Sequence, residues 1–210
     1  MEHKIIFATG NEGKMREVRL ILADLGMEVL SMKEAGVGCD AEENGATFGE
    51  NARIKAMAVW EKAKESSKDA GYIVLADDSG LVVDYLHGEP GIYSARYLGE
   101  DTSYEIKNQV IIDRLAGAKK EERTARFVSA IAAVLPDGTV LDTEGTVEGL
   151  IAHSPAGEGG FGYDPIFYLP EYKMTSAQIP IEKKNEISHR GKALVAMKEK
   201  LKSLYGEEER

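Results

Sequence analysis

Residues 72–80 read YIVLADDSG, an apolar run that stops at two adjacent aspartates. The run has the composition of a buried strand. Charged groups at the end of such a strand are costly unless they are paired or bound to a metal. We therefore predict that the strand ends at Ala76 and that oxygen atoms of the acidic pair, Asp77 and Asp78, hold a divalent cation. A capped turn is the alternative interpretation.

Strand and helix patterns alternate on both sides of this stretch. Apolar residues recur at helical spacing from Met15 to Leu25, and T-x-x-E boxes at Thr47 and Thr102 each predict a helix start. The turn sequence PDG at 136–138 separates two strand-like segments and predicts a hairpin. The predicted elements are strand 3–8, helix 15–25, strand 28–32, helix 47–63, strand 72–76, helix 102–117, strands 124–135, 140–151 and 166–168, and a last helix from about 188. This order is typical of a mixed sheet flanked by helices.

Composition narrows the class of protein. The chain has 210 residues, 43% of them hydrophobic, which suits one large domain over 1–210 or two lobes sharing a sheet. A net charge of −10 argues against a broad nucleic-acid surface, and no apolar run approaches the ~20 residues of a membrane-spanning helix. The single Cys39 cannot form an internal disulfide, and no leader precedes the first strand, so we expect a reducing cytosol. The acidic end, residues 206–210, is expected to be a solvated tail.

A cluster between the first strand and the first helix reads TGNEGK at residues 9–14. Free amide groups and the positive end of a helix dipole favour phosphate at such a position. The spacing differs from that of a P-loop, which has a longer gap between its glycines and a hydroxyl residue after the lysine. An ordinary strand-to-helix turn explains the cluster equally well. As a phosphate site it offers Thr9, Gly10, Asn11, Glu12, Gly13 and Lys14.

A second glycine-rich cluster, GEGGFGYDP at 157–165, formally contains G-x-G-x-x-G. That fingerprint binds dinucleotides where it opens a helix, whereas strand-like residues follow here, so we reject the dinucleotide interpretation. A flexible loop is one remaining interpretation. In the other, the glycines let the backbone close on a ligand while Phe161 stacks on a base and Asp164 bonds to its edge.

Two charged clusters supply further candidates. The segment KKNEISHR at 183–190 ends in His189 and Arg190, whose donors suit a carbonyl oxygen or a phosphate, although an N-cap followed by two exposed basic residues is the alternative. The segment EENG at 42–45 supplies a glutamate that can complete a metal site with Asp78, or it is a solvated acidic loop. Zinc-type spacing of His and Cys is absent from the sequence.

Six of these segments, taken in order, resemble the inosine triphosphate pyrophosphatase family, also called the noncanonical purine nucleoside triphosphate pyrophosphatases. The resemblance spans nearly the whole chain. The segments are TGN at 9–11 with Lys14, ENA at 50–52 with Lys55, ADDSGL at 76–81, PGIYSAR at 90–96, GFGYDP at 160–165 and ISHR at 187–190.

The resemblance implies both a fold and a reaction. The implied fold is an elongated, mixed central sheet flanked by helices, with two lobes and an active-site cleft between them. The implied reaction is the magnesium-dependent hydrolysis of ITP, dITP or XTP to the monophosphate and pyrophosphate, which removes deaminated purines from the nucleotide pool. Members of the family are typically cytoplasmic homodimers, with no nucleic acid or membrane as partner.

The resemblance also assigns roles to residues of this sequence. Residues 9–14 would hold phosphate, and Glu43 and Asp78 would bind Mg²⁺, with Asp78 also the assigned proton acceptor. His189 and Arg190 would donate hydrogen bonds to the oxygen at position 6 of the purine. Adenine has an amino group there, so two such donors would favour oxo-purines over adenine by roughly 10²-fold. The other implied substrate contacts are Lys55, Ser79, Phe161, Gly162, Tyr163, Asp164 and Lys184.

Two rival functions share parts of this pattern. A septum-inhibitor-like pyrophosphatase would catalyse the same reaction on other nucleotides without the SHR and FGYD segments. A nucleotide-sensing module would keep the pocket without turnover. A mixed α/β domain whose polar clusters are only turns and caps explains each cluster separately but not their joint occurrence.

Overall fold

The computed structural model describes residues 3–39, 41–66 and 71–206, so most of the expected acidic tail, residues 207–210, lies outside the described residues. Its strands form one seven-stranded sheet in the order β2-β1-β3-β4-β5-β6-β7. Strand β1 is parallel to β2 and β3, while β6 is antiparallel to β5 and β7, which confirms the predicted mixed sheet. The strands are β1 Lys4–Phe7, β2 Glu28–Ser31, β3 Tyr72–Val83, β4 Thr124–Val134, β5 Val140–Ile151, β6 Phe167–Leu169 and β7 Met174–Thr175.

Helices flank the sheet, as the periodicity predicts. The helices are α1 Glu12–Leu22, α2 Phe48–Ser66, α3 Tyr104–Arg114, α4 Ile181–Ile187 and α5 His189–Tyr205. Gly26 adopts a left-handed φ of 73° beyond the end of α1, which fits the predicted stop. No helix in the described part of the chain is long and apolar enough to cross a membrane.

The chain forms two compact units, each with its own core. The first unit comprises the described residues of Met1–Asp78, Ser129–Gly145 and Arg190–Arg210, and the second those of Ser79–Val128 and Thr146–His189. Strands β3, β4 and β5 contribute residues to both units.

Both faces of the first unit's central strand β1 are buried, as expected where helices cover a parallel sheet. Ile5 and Phe7 belong to one core cluster, together with residues of α1 and α5. Ile6 belongs to a second cluster with the small residues of α2, such as Ala52 and Ala56. In the second unit, one core cluster joins residues of β3, α3 and β6.

Two predicted boundaries are wrong. Strand β3 does not end at Ala76 but continues through the acidic pair to Val83. The carboxylates remain in the strand because side chains from other elements neutralise or bond them, as described below. Helix α3 is capped by Ser103, whose Oγ accepts from the Ile106 amide at 3.4 Å, whereas the Thr102 hydroxyl donates to the Leu98 carbonyl instead.

Candidate active site

Asp77 is the buried centre of a charged cluster in the first unit. One of its oxygens, Oδ2, lies 2.7 Å from the Lys14 ammonium and 3.3 Å from Nε of Arg190. The other, Oδ1, accepts a hydrogen bond of 2.6 Å from the Ser129 hydroxyl. Burial would raise the pKa of Asp77, but the charges of Arg190 and Lys14 outweigh burial and hold that pKa well below its usual range. The carboxylate is therefore ionised throughout the physiological range.

Lys14 and Arg190 respond differently to this shared carboxylate. Burial lowers the pKa of Lys14 even though Asp77 opposes the shift, because the nearby Arg190 charge also favours loss of the proton. Burial would lower the pKa of Arg190 too, yet Asp77 and Glu17 raise it overall. Lys14 is thus a partly buried cation whose charged form is disfavoured mainly by desolvation, a cost that a nearby phosphate group would offset.

Glu17 is a member of this cluster that the sequence analysis did not identify. Its Oε2 accepts a hydrogen bond of 2.6 Å from Arg190 Nη1, and only 5% of Glu17 is exposed. One signal was available in the sequence. Lys14 and Glu17 are three residues apart in α1 and therefore share a helix face.

Asp78 has a different environment from its neighbour Asp77. Its Oδ2 accepts a hydrogen bond of 3.1 Å from Nδ2 of Asn51, which is fully buried near the start of α2. The amide oxygen of Asn51 accepts from the Gly45 backbone at 2.8 Å, so the amide links α2, β3 and the preceding loop. Asn51 lies in the family-like segment 50–52, but no role for it follows from the sequence pattern.

The electrostatics of Asp78 single it out among the described carboxylates of this unit. Burial, partly offset by the Asn51 hydrogen bond and reinforced by the negative charge of Glu43, raises its pKa to about 6. Glu43 itself lies 2.5 Å from the Lys55 ammonium. A carboxyl group with such a pKa is mostly ionised at neutral pH yet retains affinity for a proton, which suits a general base.

The same two carboxylates fit a magnesium ion. Magnesium commonly takes one or two protein carboxylates and fills its remaining positions with water and phosphate oxygens. The repulsion between Glu43 and Asp78 is what a cation would relieve. Among residues 3–39, 41–66 and 71–206, no group of three or more His, Cys, Asp or Glu is arranged to hold a metal.

The predicted phosphate segment forms the turn into α1. Asn11 caps the helix, since its Oδ1 accepts from the Lys14 amide at 3.0 Å. The Thr9 hydroxyl accepts from the Asn11 amide at 3.1 Å. Thr9, Gly10 and Glu12 line a groove of about 940 Å³ in the first unit. Gly13 lies in the first turn of α1.

In the second unit, Asp164 organises the glycine-rich loop. Its Oδ2 accepts from the Phe161 amide at 2.8 Å and from the Lys184 ammonium at 2.6 Å, and its Oδ1 accepts from the Ser176 hydroxyl at 2.8 Å. The loop turns at Gly160, where φ is +74° and a Cβ atom would collide with the Asp164 carboxylate. Ser176 is a further residue that the sequence analysis did not identify.

Neighbouring groups support the rest of this loop. The Gly162 carbonyl accepts from Asn108 Nδ2 at 3.1 Å, and the Tyr163 hydroxyl donates to the Ser94 carbonyl at 2.7 Å. The Lys184 ammonium lies 5.2 Å from the centre of the Phe161 ring. The loop is therefore held by side chains at several points rather than only by its own backbone.

The structure divides the predicted site residues between the two units. The first unit holds residues 9–14, Glu43, Lys55, Asp78 and Arg190, and brings Lys14 and Arg190 to one carboxylate. The second unit holds Ser79, Phe161–Asp164, Lys184 and His189. Within it, Lys184 is joined to the 161–164 segment by its bond to Asp164. Their contacts with substrate remain predictions.

The matches of this chain to a family model, to named relatives and to a solved structure are consistent with one another. A model of the Ham1 family matches residues 5–200. The chain is 45% identical over 201 residues to a dITP/XTP pyrophosphatase of Clostridium perfringens, covering 96% of this chain and 98% of that protein. A dITP/XTP pyrophosphatase of Thermus thermophilus is 48% identical over 199 residues, covering 95% and 92%. A solved HAM1 protein from Coxiella burnetii has a TM-score of 0.82 and 37% identity, covering 96% of this chain and 99% of that one.

Proposed function

The chain belongs to the Ham1 family, and we propose that it hydrolyses the deaminated purine nucleoside triphosphates ITP, dITP and XTP to the monophosphate and pyrophosphate. The observation that carries the proposal is the buried Asp78 carboxyl, whose pKa is raised to about 6 close to a second carboxylate and a lysine. Such a group is poised to accept a proton from water at neutral pH. Removal of these nucleotides would keep deaminated bases out of nucleic acid.

The first unit supplies groups for a polyphosphate. The start of α1 offers backbone amides and the positive end of a helix dipole, and Lys14 adds a partly buried cation. Lys55, now paired with Glu43, offers a second cation. Glu43 and Asp78 would hold Mg²⁺, which when bound neutralises the polyphosphate and stabilises the departing pyrophosphate. Asp78 then orients or deprotonates the attacking water, while the lysines hold the phosphate chain in line.

The second unit supplies groups for the base. Phe161 offers an aromatic face, and His189 offers a donor for the oxygen at the 6 position of hypoxanthine or xanthine. Adenine presents an amino group there, so the donor would be left unpaired. Arg190 was also expected to donate to the oxygen at the 6 position. Its bonds to Asp77 and Glu17 favour an additional role in organising the charged cluster.

A product assay tests the proposal. Purified protein is incubated with ITP, dITP, XTP, GTP and ATP, with magnesium and with a chelator. We expect pyrophosphate and monophosphate from the three deaminated substrates, little product from ATP, and no turnover in the chelator. Release of orthophosphate, or equal use of ATP and ITP, would overturn the proposal. Binding of ITP without product would indicate the sensing module instead.

We also propose that the protein works in the cytoplasm as a homodimer. The second unit exposes several large apolar side chains, among them Tyr93, Leu98 and Ile106, each about half exposed in the single chain. Contact with a second copy would remove such surface from water. Light scattering at micromolar concentration should report twice the mass of one chain, and a monomer at that concentration would contradict the dimer.

A further inference from the structure

The imidazole of His189 is stacked on an aromatic ring within the second unit. The ring centroids of His189 and Phe127 are 4.8 Å apart, and the two planes differ by 14°. Both residues are buried, with 6% of His189 and 7% of Phe127 exposed. The sequence analysis assigned no role to Phe127.

The orientation of a histidine ring is not fixed by its own rotamer. The χ2 torsion of histidine is broad, so neighbouring groups decide the plane in which the ring settles. That plane matters for a donor that must reach a carbonyl oxygen, because the hydrogen atom prefers to lie near the plane of the C=O group and its substituents. A side chain packed against the imidazole therefore controls the direction of its N–H groups.

Phe127 is itself held in place on strand β4. Its ring lies 4.5 Å from the ring of Phe167, tilted by 52°, and Phe167 is fully buried. A cavity of only about 10 Å³ lies next to these rings, lined by Phe127, Phe167, Lys184, Ser188 and His189 among others. A space of that size holds at most about one water molecule, so the imidazole has little room to rotate.

We propose that Phe127 is a positioning residue for base selection: its ring fixes the plane of His189 so that an imidazole N–H meets the 6-oxo group of the purine. The inference rests on the function proposed above. Phe127 needs no contact with substrate in this role, and it acts only through the imidazole. Loss of the aromatic face would leave the histidine present but misaligned.

The test compares kcat and KM for ITP and ATP in the unsubstituted protein, Phe127→Leu, Phe127→Tyr and a control, Ile111→Val, a fully buried position in the same core. We expect Phe127→Leu to lower kcat/KM for ITP roughly 10-fold, with little change for ATP, because one aligned hydrogen bond is lost. Phe127→Tyr keeps the ring face and should retain the preference. The control should also retain it.

The outcomes separate the inference from the proposed function. No preference for ITP in the unsubstituted protein would overturn the proposed function. A preference that survives in Phe127→Leu, or that falls equally in Ile111→Val, would overturn only the role of Phe127. If Phe127→Leu does not fold, Phe127→Met replaces it, since the flexible methionine side chain fills irregular core gaps and lacks the ring. Proton NMR adds an independent readout: stacking shifts the His189 ring resonances upfield, and an unchanged shift in the substituted protein would contradict the stack.

Discussion

Each unit pairs a lysine with a buried aspartate, but the two units use the pair differently. In the first unit Lys14 meets Asp77 at 2.7 Å, and the next residue of the strand, Asp78, carries a raised pKa. In the second unit Lys184 meets Asp164 at 2.6 Å, and the same carboxylate also accepts from Ser176 and a backbone amide. The first arrangement places a carboxyl group that favours a proton or a cation directly next to its ion pair. The second satisfies its charge internally and so fixes the shape of a loop.

This contrast predicts that substitutions in the two units separate activity from stability. A group kept in an unfavourable charged state serves chemistry at a cost to the fold, whereas a fully bonded group serves the fold.

The largest effect is expected for Asp78→Asn. Activity should fall by about 10³-fold, because the amide cannot accept the proton of water. The folded-state pKa of Asp78 is raised from 3.8 to about 6, so its protonated form stabilises the fold at low pH, and this contribution is lost as pH rises through that interval. At pH 7 the amide removes the buried charge, and the free energy of unfolding should rise by about 1–3 kcal/mol. Turnover of ITP and urea unfolding measure both effects, and near-normal turnover would remove Asp78 from the chemistry.

Asp164→Asn should show the opposite balance. Removal of this carboxylate abolishes a buried ion pair of 2.6 Å with the Lys184 ammonium, and breaking such a pair typically costs about 3–5 kcal/mol of stability. Urea unfolding at pH 7 checks the loss, and Lys183→Met, at an exposed neighbour, is the matched control. Unchanged stability would show that the second unit does not depend on its ion pair as the comparison requires.

The pH dependence of activity sharpens the role assigned to Asp78. Because its pKa is about 6, kcat/KM for ITP should be level above pH 7 and fall about tenfold per pH unit below pH 6 as the carboxyl becomes protonated. Rates at a fixed magnesium concentration well below saturation, from pH 4.5 to 8, give the profile, because a cation bound at Asp78 would lower its pKa. A profile that is flat down to pH 5 would mean that no group with this pKa controls the reaction.

The smallest effect is expected for two serines that donate hydrogen bonds to the paired aspartates. Ser129 bonds Asp77 at 2.6 Å and Ser176 bonds Asp164 at 2.8 Å, and both serines are buried. Replacing either by alanine should cost about 1.5 kcal/mol, the usual worth of a hydrogen bond to a charged group. Thermal unfolding of Ser129→Ala and Ser176→Ala gives both values. A clearly smaller loss at Ser129 would indicate that Lys14 and Arg190 alone suffice for Asp77.

Local patterns predicted most of the fold, and long-range contacts account for the rest. The helices from Met15 and Thr47 and the strands on either side of residues 136–138 follow from periodicity and turn chemistry. The continuation of β3 through Asp77 does not follow from local patterns, because it depends on Lys14, Arg190 and Ser129, all distant in sequence. Short helix α4 was also missed.

The candidate site divides in the same way. The charged clusters themselves were visible as sequence segments, since buried or clustered polar groups stand out against apolar runs. The partners that tune them were not visible: Asn51 looks like any helix residue, and Phe127 looks like an ordinary core residue. Their importance arises only once strands and helices bring them to a carboxylate or an imidazole.

The buried amide of Asn51 has a consequence for the ageing of the protein. Both of its polar atoms are bonded, one to the Gly45 amide and one to Asp78, and the residue sits within the first turn of a helix. Spontaneous conversion of this side chain to a carboxylate would set a second acid directly against Asp78 and raise its affinity for protons further. Molecules that stay folded are shielded from this damage, so it accumulates only through those in which the start of α2 opens. A protein proposed to clear deaminated bases thus depends on an amide that must itself escape deamidation.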